Sequence, residues 1–175
     1  MEEERYPVGE FRFDGDFTSD VIQGWIDEIE KLPSLLREAV NDLSEDQLDT
    51  PYRSGGWTIR QVIHHLADSH MNAYIRLKLA LTEEHPVIKP YHEGKWAELP
   101  DSNLPITCSL SLIESLHVRW VTILNSLTPD ERERTFMHPD SGQIAVEEYI
   151  GTYAWHSRHH LAHITSLCSR KGWGK

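Results

Sequence analysis

The chain has 175 residues, 39% hydrophobic and 26% charged, a length that predicts one domain over residues 1–175 with a buried core. Lys and Arg number 17 against 28 Asp and Glu, and the net charge of −11 repels phosphate backbones, so we expect no nucleic-acid partner. The sequence has no apolar run of about 18 residues and its acidic start lacks the layout of a signal peptide, so we expect no membrane partner and a cytoplasmic location.

The first long helix is predicted over residues 19–43, where apolar side chains recur every three or four positions. Pro33 interrupts this stripe, and we expect a kink or a break into two pieces near Lys31. Ser44 and Gln47 follow with the spacing of a capping box, which predicts a short helical piece.

Three further long helices follow the same apolar periodicity. The second starts at a capping box formed by Thr58 and Gln61 and continues to about residue 82. The third and fourth are predicted over residues 107–127 and 146–170. Four long helices indicate an all-α protein, a four-helix bundle.

Two connections are predicted to be non-helical. Residues 84–105 carry four prolines and one glycine and form a long irregular loop after helix two, which we interpret either as a lid or wall of a site or as a subunit contact. Residues 135–145 contain a Pro-Asp-Ser-Gly turn between two apolar stretches, which predicts a small hairpin before the last helix.

The two cysteines, Cys108 and Cys168, fall in apolar helical patterns. Two cysteines give no disulfide framework and no metal-binding spacing, so both are interpreted as reduced core residues.

Eleven histidines are present, and four of them lie in the segment WHSRHHLAHI of the last helix. His156 and His160 are four residues apart, so their side chains project about 40° apart on adjacent turns, where they can bind one metal ion. The helical wheel places both at the border of the apolar face, with His163 as a marginal third and His159 leaning toward solvent.

Helix two repeats this arrangement. A polar stripe flanks its apolar face and consists of His65, Ser69, Asn72 and Arg76. His64 is predicted to turn outward and His70 to point into the apolar centre. Two such stripes can face each other inside a bundle, as in known helical-bundle metal sites.

The residues themselves leave two interpretations open for His156 and His160, a metal site or a network of satisfied hydrogen bonds, because each imidazole needs partners for two ring nitrogens. His70 and His117 are interpreted as buried, hydrogen-bonded histidines. His117 can also reach the site as an acid–base group or as a group behind a metal ligand.

Three stretches of the chain resemble the YfiT branch of the DinB-like superfamily. They are GGWTIRQVIHHLADSHMNAYIRLKLALTE (55–83), PVIKPYHEGKWAELPDS (86–102) and YAWHSRHHLAHI (153–164). The resemblance implies a four-helix bundle, usually a homodimer, with one divalent metal ion per subunit held by three histidines. These are His65, directly before Leu-Ala-Asp, and the HxxxH pair His156 and His160.

The resemblance also implies a metal-dependent hydrolase, or a thiol S-transferase that uses bacillithiol. Three imidazoles leave coordination positions open, so the metal can activate a water molecule or stabilise a thiolate. We expect a small-molecule substrate in both cases, with a low-molecular-weight thiol as a second partner in the transferase. Two further interpretations are a non-catalytic metal-binding stress-response module and a helical dimer whose histidines are only structural. Zinc is the expected metal, and nickel is the second choice.

Three polar residues of helix two are candidates for contact with the ligands or the substrate. Asp68 is one turn from His65 and either hydrogen-bonds a ligand ring or lies on a solvated face. Asn72 and Arg76 continue the stripe of His65 toward a substrate. An anionic thiol would favour a binding role for Arg76, which could equally form an ordinary buried salt bridge.

Overall fold

The computed structural model describes residues 2–173 of the chain. Within that range it contains eight α-helices, one 3₁₀-helix and two strands. In chain order they are α1 (Glu2–Arg5), α2 (Ser19–Val40), α3 (Glu45–Leu48), α4 (Ile59–Thr82), α5 (Glu93–Trp96), the 3₁₀-helix (Pro100–Asn103), α6 (Thr107–Ser126), α7 (Pro129–Arg132), β1 (Thr135–His138), β2 (Gly142–Ala145) and α8 (Val146–Lys171).

The four long helices α2, α4, α6 and α8 confirm the predicted bundle, and β1 and β2 confirm the hairpin before the last helix. Both predicted capping boxes are present, at Ser44 with Gln47 and at Thr58 with Gln61. The predicted break at Pro33 is wrong, because α2 continues through this residue as one helix. Pro33 lacks an N–H, so it leaves the carbonyl of Ile29, four residues earlier, without its usual helical donor.

The order of the helices around the bundle differs from their order along the chain. Helix α2 packs against both α6 and α8, and α4 packs against the same two helices. The order around the bundle is therefore α2, α6, α4, α8, so α4 and α8 are neighbours. The two helices that carry the predicted metal ligands thus lie side by side.

Two clusters of buried apolar side chains fill the bundle and show how the helices run. One contains the first part of α2, the second part of α4 and α6, and the first part of α8; the other contains the remaining halves. Helices α4 and α6 are therefore parallel to each other and antiparallel to α2 and α8. His70 on α4, and His156 and His160 on α8, fall between residues of the two clusters.

The connection predicted to be non-helical contains two short helices, α5 and the 3₁₀-helix, and its length has a structural reason in this topology. Because α4 and α6 are parallel, residues 83–106 must return along the length of α4 before α6 can begin. The guanidinium Nη2 of Arg76 donates to the Lys89 carbonyl at 3.0 Å, and the amide Nε2 of Gln61 donates to the Ala97 carbonyl at 3.0 Å. We refer to residues 83–106 as the return segment.

The two cysteines differ in burial. Cys168 is buried as predicted, whereas the prediction for Cys108 is wrong, because its side chain is exposed near the start of α6. Among the helices of residues 2–173, none is both long enough and apolar enough to cross a membrane.

Gly151 allows a close approach between α8 and the aromatic side chains of α2 and the segment before it. A Cβ atom at this position would lie 2.9 Å from atoms of the Phe11 and Trp25 rings. Gly24, also inside a long helix, has no atom within 4 Å of such a Cβ. The two glycines therefore form a matched pair for testing the packing.

We expect Gly151→Ala to lower the free energy of unfolding by about 1–3 kcal/mol, because the rings must move out of a packed interface. Gly24→Ala is expected to raise it by about 0.5–1 kcal/mol, since alanine is the better helix former. Urea unfolding followed by circular dichroism measures both changes. Equal effects of the two substitutions would contradict the close approach.

Candidate metal centre

Three histidines meet where α4 and α8 pack together. His65 on α4 and His156 and His160 on α8 each offer one ring nitrogen, and these nitrogens all lie within 4.8 Å of one another. The rings of His156 and His160, one helical turn apart, have centroids 4.5 Å apart. The fold therefore brings the three predicted ligands together.

The distance between two of these nitrogens fits a metal centre. The Nε2 atoms of His65 and His156 are 3.3 Å apart. Two nitrogens bound to one tetrahedral zinc ion at about 2.0–2.1 Å are separated by about 3.3 Å. Each nitrogen also has to present a lone pair, which depends on the tautomer of its ring.

A chain of hydrogen bonds determines the tautomer of His156. The Ile29 carbonyl can only accept, so Nδ1 of His117 donates to it at 2.7 Å. With His117 neutral, its Nε2 accepts from Nδ1 of His70 at 2.8 Å. Nε2 of His70 then accepts from Nδ1 of His156 at 3.2 Å, which leaves Nε2 of His156 with a lone pair that faces Nε2 of His65 at 3.3 Å. We call this chain the long relay.

A second, shorter chain determines the tautomer of His160. Nε2 of His163 donates to the carbonyl of Arg5 at 3.0 Å, at the last residue of α1, where carbonyls have no helical donor. Nδ1 of His163 therefore accepts from Nδ1 of His160 at 3.3 Å, and Nε2 of His160 retains its lone pair. We call this chain the short relay. Both histidines of α8 thus present Nε2.

The protonation of the rings agrees with these tautomers. Burial lowers the pKa of His65 to about 4 and, with the neighbouring histidines, the pKa of His156 and His160 well below the ordinary value. Burial also lowers the pKa of His117 to about 4. The imidazoles are therefore neutral near pH 7, the form that binds metals.

A second group of histidines, His159, His160 and His163, also places its nitrogens within 4.8 Å of one another. This group shares His160 with the first. The Nδ1 atom of His160 donates to His163, and Nε2 of His163 donates to Arg5, so an ion here would have to break the short relay. The group of His65, His156 and His160 is therefore the better metal site.

The three histidines line a cavity of about 420 Å³. The return segment contributes Pro90 and Tyr91 to its lining, which favours the interpretation of this segment as a wall of the site. The ring of Trp57 packs 4.6 Å from the ring of His65, centroid to centroid. The volume is typical of a small-molecule site.

The other candidate residues differ in whether they line this cavity. Arg76 lines the cavity, whereas Asn72 donates to the carbonyl of Asp68 in its own helix. Burial and the charge of Asp101 raise the pKa of Asp68 to about 6. His117 acts on the site only through the long relay.

Within residues 2–173, the rings of His156 and His160 bond His70 and His163, and Nε2 of His65 contacts Nε2 of His156, whereas the Asp68 carboxylate bonds none of these three predicted ligands. His70 was predicted to be buried and hydrogen-bonded, but no sequence signal connected it to His156. The pairing depends on how α4 and α8 are positioned, which the helical wheel of one helix does not contain.

Two predictions of exposure are wrong for histidines. His159 was expected to lean toward solvent, and His64 to turn outward, yet each is only 7% exposed. Residues before α2 cover His159, whose ring lies 5.8 Å from that of Tyr6, centroid to centroid. The Leu104 carbonyl of the return segment accepts a hydrogen bond from Nε2 of His64 at 3.0 Å. A helical wheel describes a single helix and does not show which irregular segments of the chain cover its side chains.

Residues 28–164 match the family model of the DinB superfamily. The chain belongs to the DinB superfamily. A relative from Oceanobacillus iheyensis is 68% identical over 170 residues, which cover 97% of this chain and 99% of that protein. A relative from Bacillus mycoides is 58% identical over 173 residues, covering 99% of this chain and all (100%) of that protein. Both bear the provisional name of metal-dependent hydrolase.

Two solved structures of four-helix bundle proteins confirm the fold. YfiT from Bacillus subtilis, described as a probable metal-dependent hydrolase with an unusual four-helix bundle topology, matches with a TM-score of 0.95 and 49% identity over 98% of this chain and 99% of YfiT. The four-helix bundle protein TT2238 matches with a TM-score of 0.58 and 18% identity over 83% of this chain and 98% of that one, a likeness of fold alone. The predicted resemblance to the YfiT branch is thereby confirmed.

The long relay predicts that His117 affects metal affinity without touching the metal. His117→Phe removes the acceptor of the His70 Nδ1 proton, and we expect the affinity for zinc to fall about 10- to 100-fold. Competition with a chromophoric chelator measures the affinity, and long-range ¹H–¹⁵N spectra of the metal-free protein report the tautomers of His70 and His156.

The matched control is His64→Phe. This substitution removes another buried histidine of α4, one that bonds Ser109 and Leu104 instead of a ligand ring, and is expected to leave zinc affinity unchanged. Equal losses in both variants, or a proton on Nε2 of His156 in the native protein, would contradict the relay.

The buried histidines also predict how stability depends on pH. The pKa is lowered in eight of them: His64, His65, His70, His117, His156, His159, His160 and His163. Below the unfolded-state pKa of about 6.5 the unfolded chain binds more protons, so acidification destabilises the folded protein until the lowered pKa values are reached.

We expect the free energy of unfolding of the metal-free protein to fall between pH 7 and pH 5.5 by more than about 1.4 kcal/mol per pH unit, the slope for one proton. The raised pKa of Asp68 acts in the opposite sense below about pH 6, so Asp68→Asn serves as the control and should steepen the fall. Urea unfolding at several pH values measures the slope, and a flat profile would refute the neutral network.

Proposed function

We propose that this protein is a metal-dependent hydrolase of small molecules, in which His65, His156 and His160 hold one divalent ion per subunit. One observation carries the proposal: two independent relays leave Nε2 of His156 and Nε2 of His160 deprotonated beside His65. A shared metal ion would bind both lone pairs, whereas a hydrogen bond from Nε2 of His65 at 3.3 Å would satisfy that of His156 alone. The provisional names of the relatives support the same conclusion.

The metal, when bound, supplies a Lewis acid that activates a water molecule by lowering its pKa to about 7. The protein's own contribution is positional. The relays hold the rings of α8 in one tautomer and orientation, and Trp57 packs on His65 at the wall of the cavity. The rigid helices α4 and α8 carry the ligands, while the return segment shapes the space for the substrate.

We propose zinc as the native metal, with nickel as the second choice. Neutral imidazoles suit both ions. Nε2 of His65 and Nε2 of His156 lie 3.3 Å apart, close enough for both to bind one such ion.

Thiol S-transfer to an electrophile is the second candidate function, and one observation favours it. Among the described residues that line the cavity, the carboxylates are those of Glu93 and Asp140, and both residues are exposed. A buried carboxylate base, such as the glutamate of HExxH proteases, is therefore not among them. A metal-stabilised thiolate is already deprotonated and needs no such base.

Metal analysis of the purified protein tests the proposal first. We expect about one zinc or nickel ion per chain, lost in His156→Ala because a ligand is removed. His85→Ala is the control, since this histidine bonds Thr135 away from the cavity and its loss should not change metal content. Metal-free native protein that does not take up added zinc would contradict the proposal.

Activity assays then separate the candidate functions. Turnover of esters or amides by the loaded protein without added thiol, absent in His156→Ala, would support hydrolysis. Loss of thiol on mixing bacillithiol with monochlorobimane, again absent in that variant, would select S-transfer instead. A loaded protein inert in both assays would favour a non-catalytic metal-binding module. The homodimer remains a prediction that light scattering can test.

A further inference from the structure

Arg76 is a buried cation with an incomplete set of partners. It is only 8% exposed, although it lies in the middle of α4. Within residues 2–173 its hydrogen bond is that from Nη2 to the Lys89 carbonyl, which leaves most of its five N–H donors unused. Its guanidinium also lies 6.0 Å from the centre of the Tyr91 ring. The buried salt bridge that the sequence left open for Arg76 is not among the ion pairs of the described residues.

A buried charge without a counter-ion is costly unless another charge or a set of hydrogen bonds compensates it. One carbonyl and one aromatic ring give Arg76 only part of that compensation. Arg76 opens into the cavity of His65, His156 and His160. A negatively charged ligand that pairs with Arg76 can therefore bind in the cavity, next to the proposed metal ligands.

The remaining polar groups around Arg76 are suited to an anion. The buried hydroxyl of Tyr149 lies close to the Arg76 guanidinium and to Tyr153, in neither case as a well-formed hydrogen bond, and Tyr149 does not line the cavity. Ser69 and Tyr153 line the cavity with their hydroxyl oxygens 3.3 Å apart, and Tyr153 donates to the Ser69 carbonyl at 3.3 Å, so the Ser69 hydroxyl is the one whose proton can turn to a ligand. Hydroxyls can donate to a carboxylate from several directions.

The net negative charge of the whole chain bears on how an anionic ligand could be recognised at Arg76. A protein of net charge −11 repels anions in general, so an anionic ligand has to be recognised by direct contact. Arg76 is the cationic side chain among the described residues that line the cavity, whereas the carboxylates of Glu93 and Asp140 belong to exposed residues. The planar guanidinium matches a carboxylate through two parallel hydrogen bonds.

We propose that Arg76 forms a carboxylate-binding subsite, and that the molecules acted on at the three-histidine centre carry a carboxylate in addition to the group that reaches the metal. This inference rests on the proposed function and specifies its substrate class. It assigns Arg76 to substrate binding rather than to the chemical step.

Paired thiol probes test the subsite without requiring the natural substrate. The protein is loaded with Co²⁺, and binding of 3-mercaptopropionate, 4-mercaptobutyrate or 6-mercaptohexanoate is followed by the thiolate-to-cobalt absorption band. Each acid is compared with its neutral amide, so that only the distal charge differs. We expect at least one acid to bind about tenfold tighter than its amide, because a charge-assisted bidentate bond forms with Arg76.

Arg76→Gln should bring acid and amide within about twofold of each other, and Arg76→Lys should leave an intermediate preference, since lysine keeps the charge without the planar fork. Lys78→Gln is the matched control: it removes the same charge from an exposed position on α4 outside the cavity and should preserve the preference. Equal binding of every acid–amide pair by the native protein, or a preference that survives in Arg76→Gln, overturns the subsite.

Failure of the metal centre is distinguishable from failure of the subsite. Native protein that does not bind Co²⁺ contradicts the proposed function, and Arg76 is then judged on metal-free protein alone. In that case millimolar glutarate must raise the melting temperature of the native protein more than that of Arg76→Gln, with glutaramide as the neutral comparison. No difference between the two proteins would overturn the proposal.

Discussion

The hydrogen bond between His117 and the Ile29 carbonyl determines the tautomers of the histidines in the long relay, although it lies outside the cavity. In a regular helix the carbonyl of Ile29 would accept the N–H of residue 33. Because Pro33 has no N–H, this carbonyl is available to accept from His117. Each imidazole of the long relay can then have only one tautomer, and the last ring faces the cavity with a lone pair. A proline in α2 is thus linked, through two rings, to His156, a proposed metal ligand on α8.

The placement of the imidazoles explains how a bundle tolerates so many of them. His70, His156 and His160 lie where the two apolar clusters meet. Each ring nitrogen of the long relay that faces protein is hydrogen-bonded to another nitrogen or to a carbonyl. Buried polar groups are costly when unsatisfied, so the neutral network stabilises one arrangement of the helices while keeping the ligands uncharged. The proposed metal binding and the specificity of packing therefore depend on the same hydrogen bonds.

The sequence predicted the helices, the hairpin and the pair of His156 and His160 because these follow from periodicity, capping and local spacing, whereas the family resemblance singled out His65 as the third histidine. It did not predict the neighbours of each helix, and with them the contact between His70 and His156 or the burial of His64 and His159. Those features depend on helix order and on irregular segments that cover the bundle. Pro33 was recognised as unusual, but its effect is a free carbonyl rather than a broken helix.

The parallel course of α4 and α6 has a consequence for how such proteins diverge. The chain must travel the full length of the bundle between these helices, and this obligatory crossing passes the mouth of the cavity with Pro90 and Tyr91. Replacements there can reshape which molecules are admitted while the coordinating frame stays constant. One scaffold can in this way bind new molecules through changes in its connector while His65, His156 and His160 stay in place.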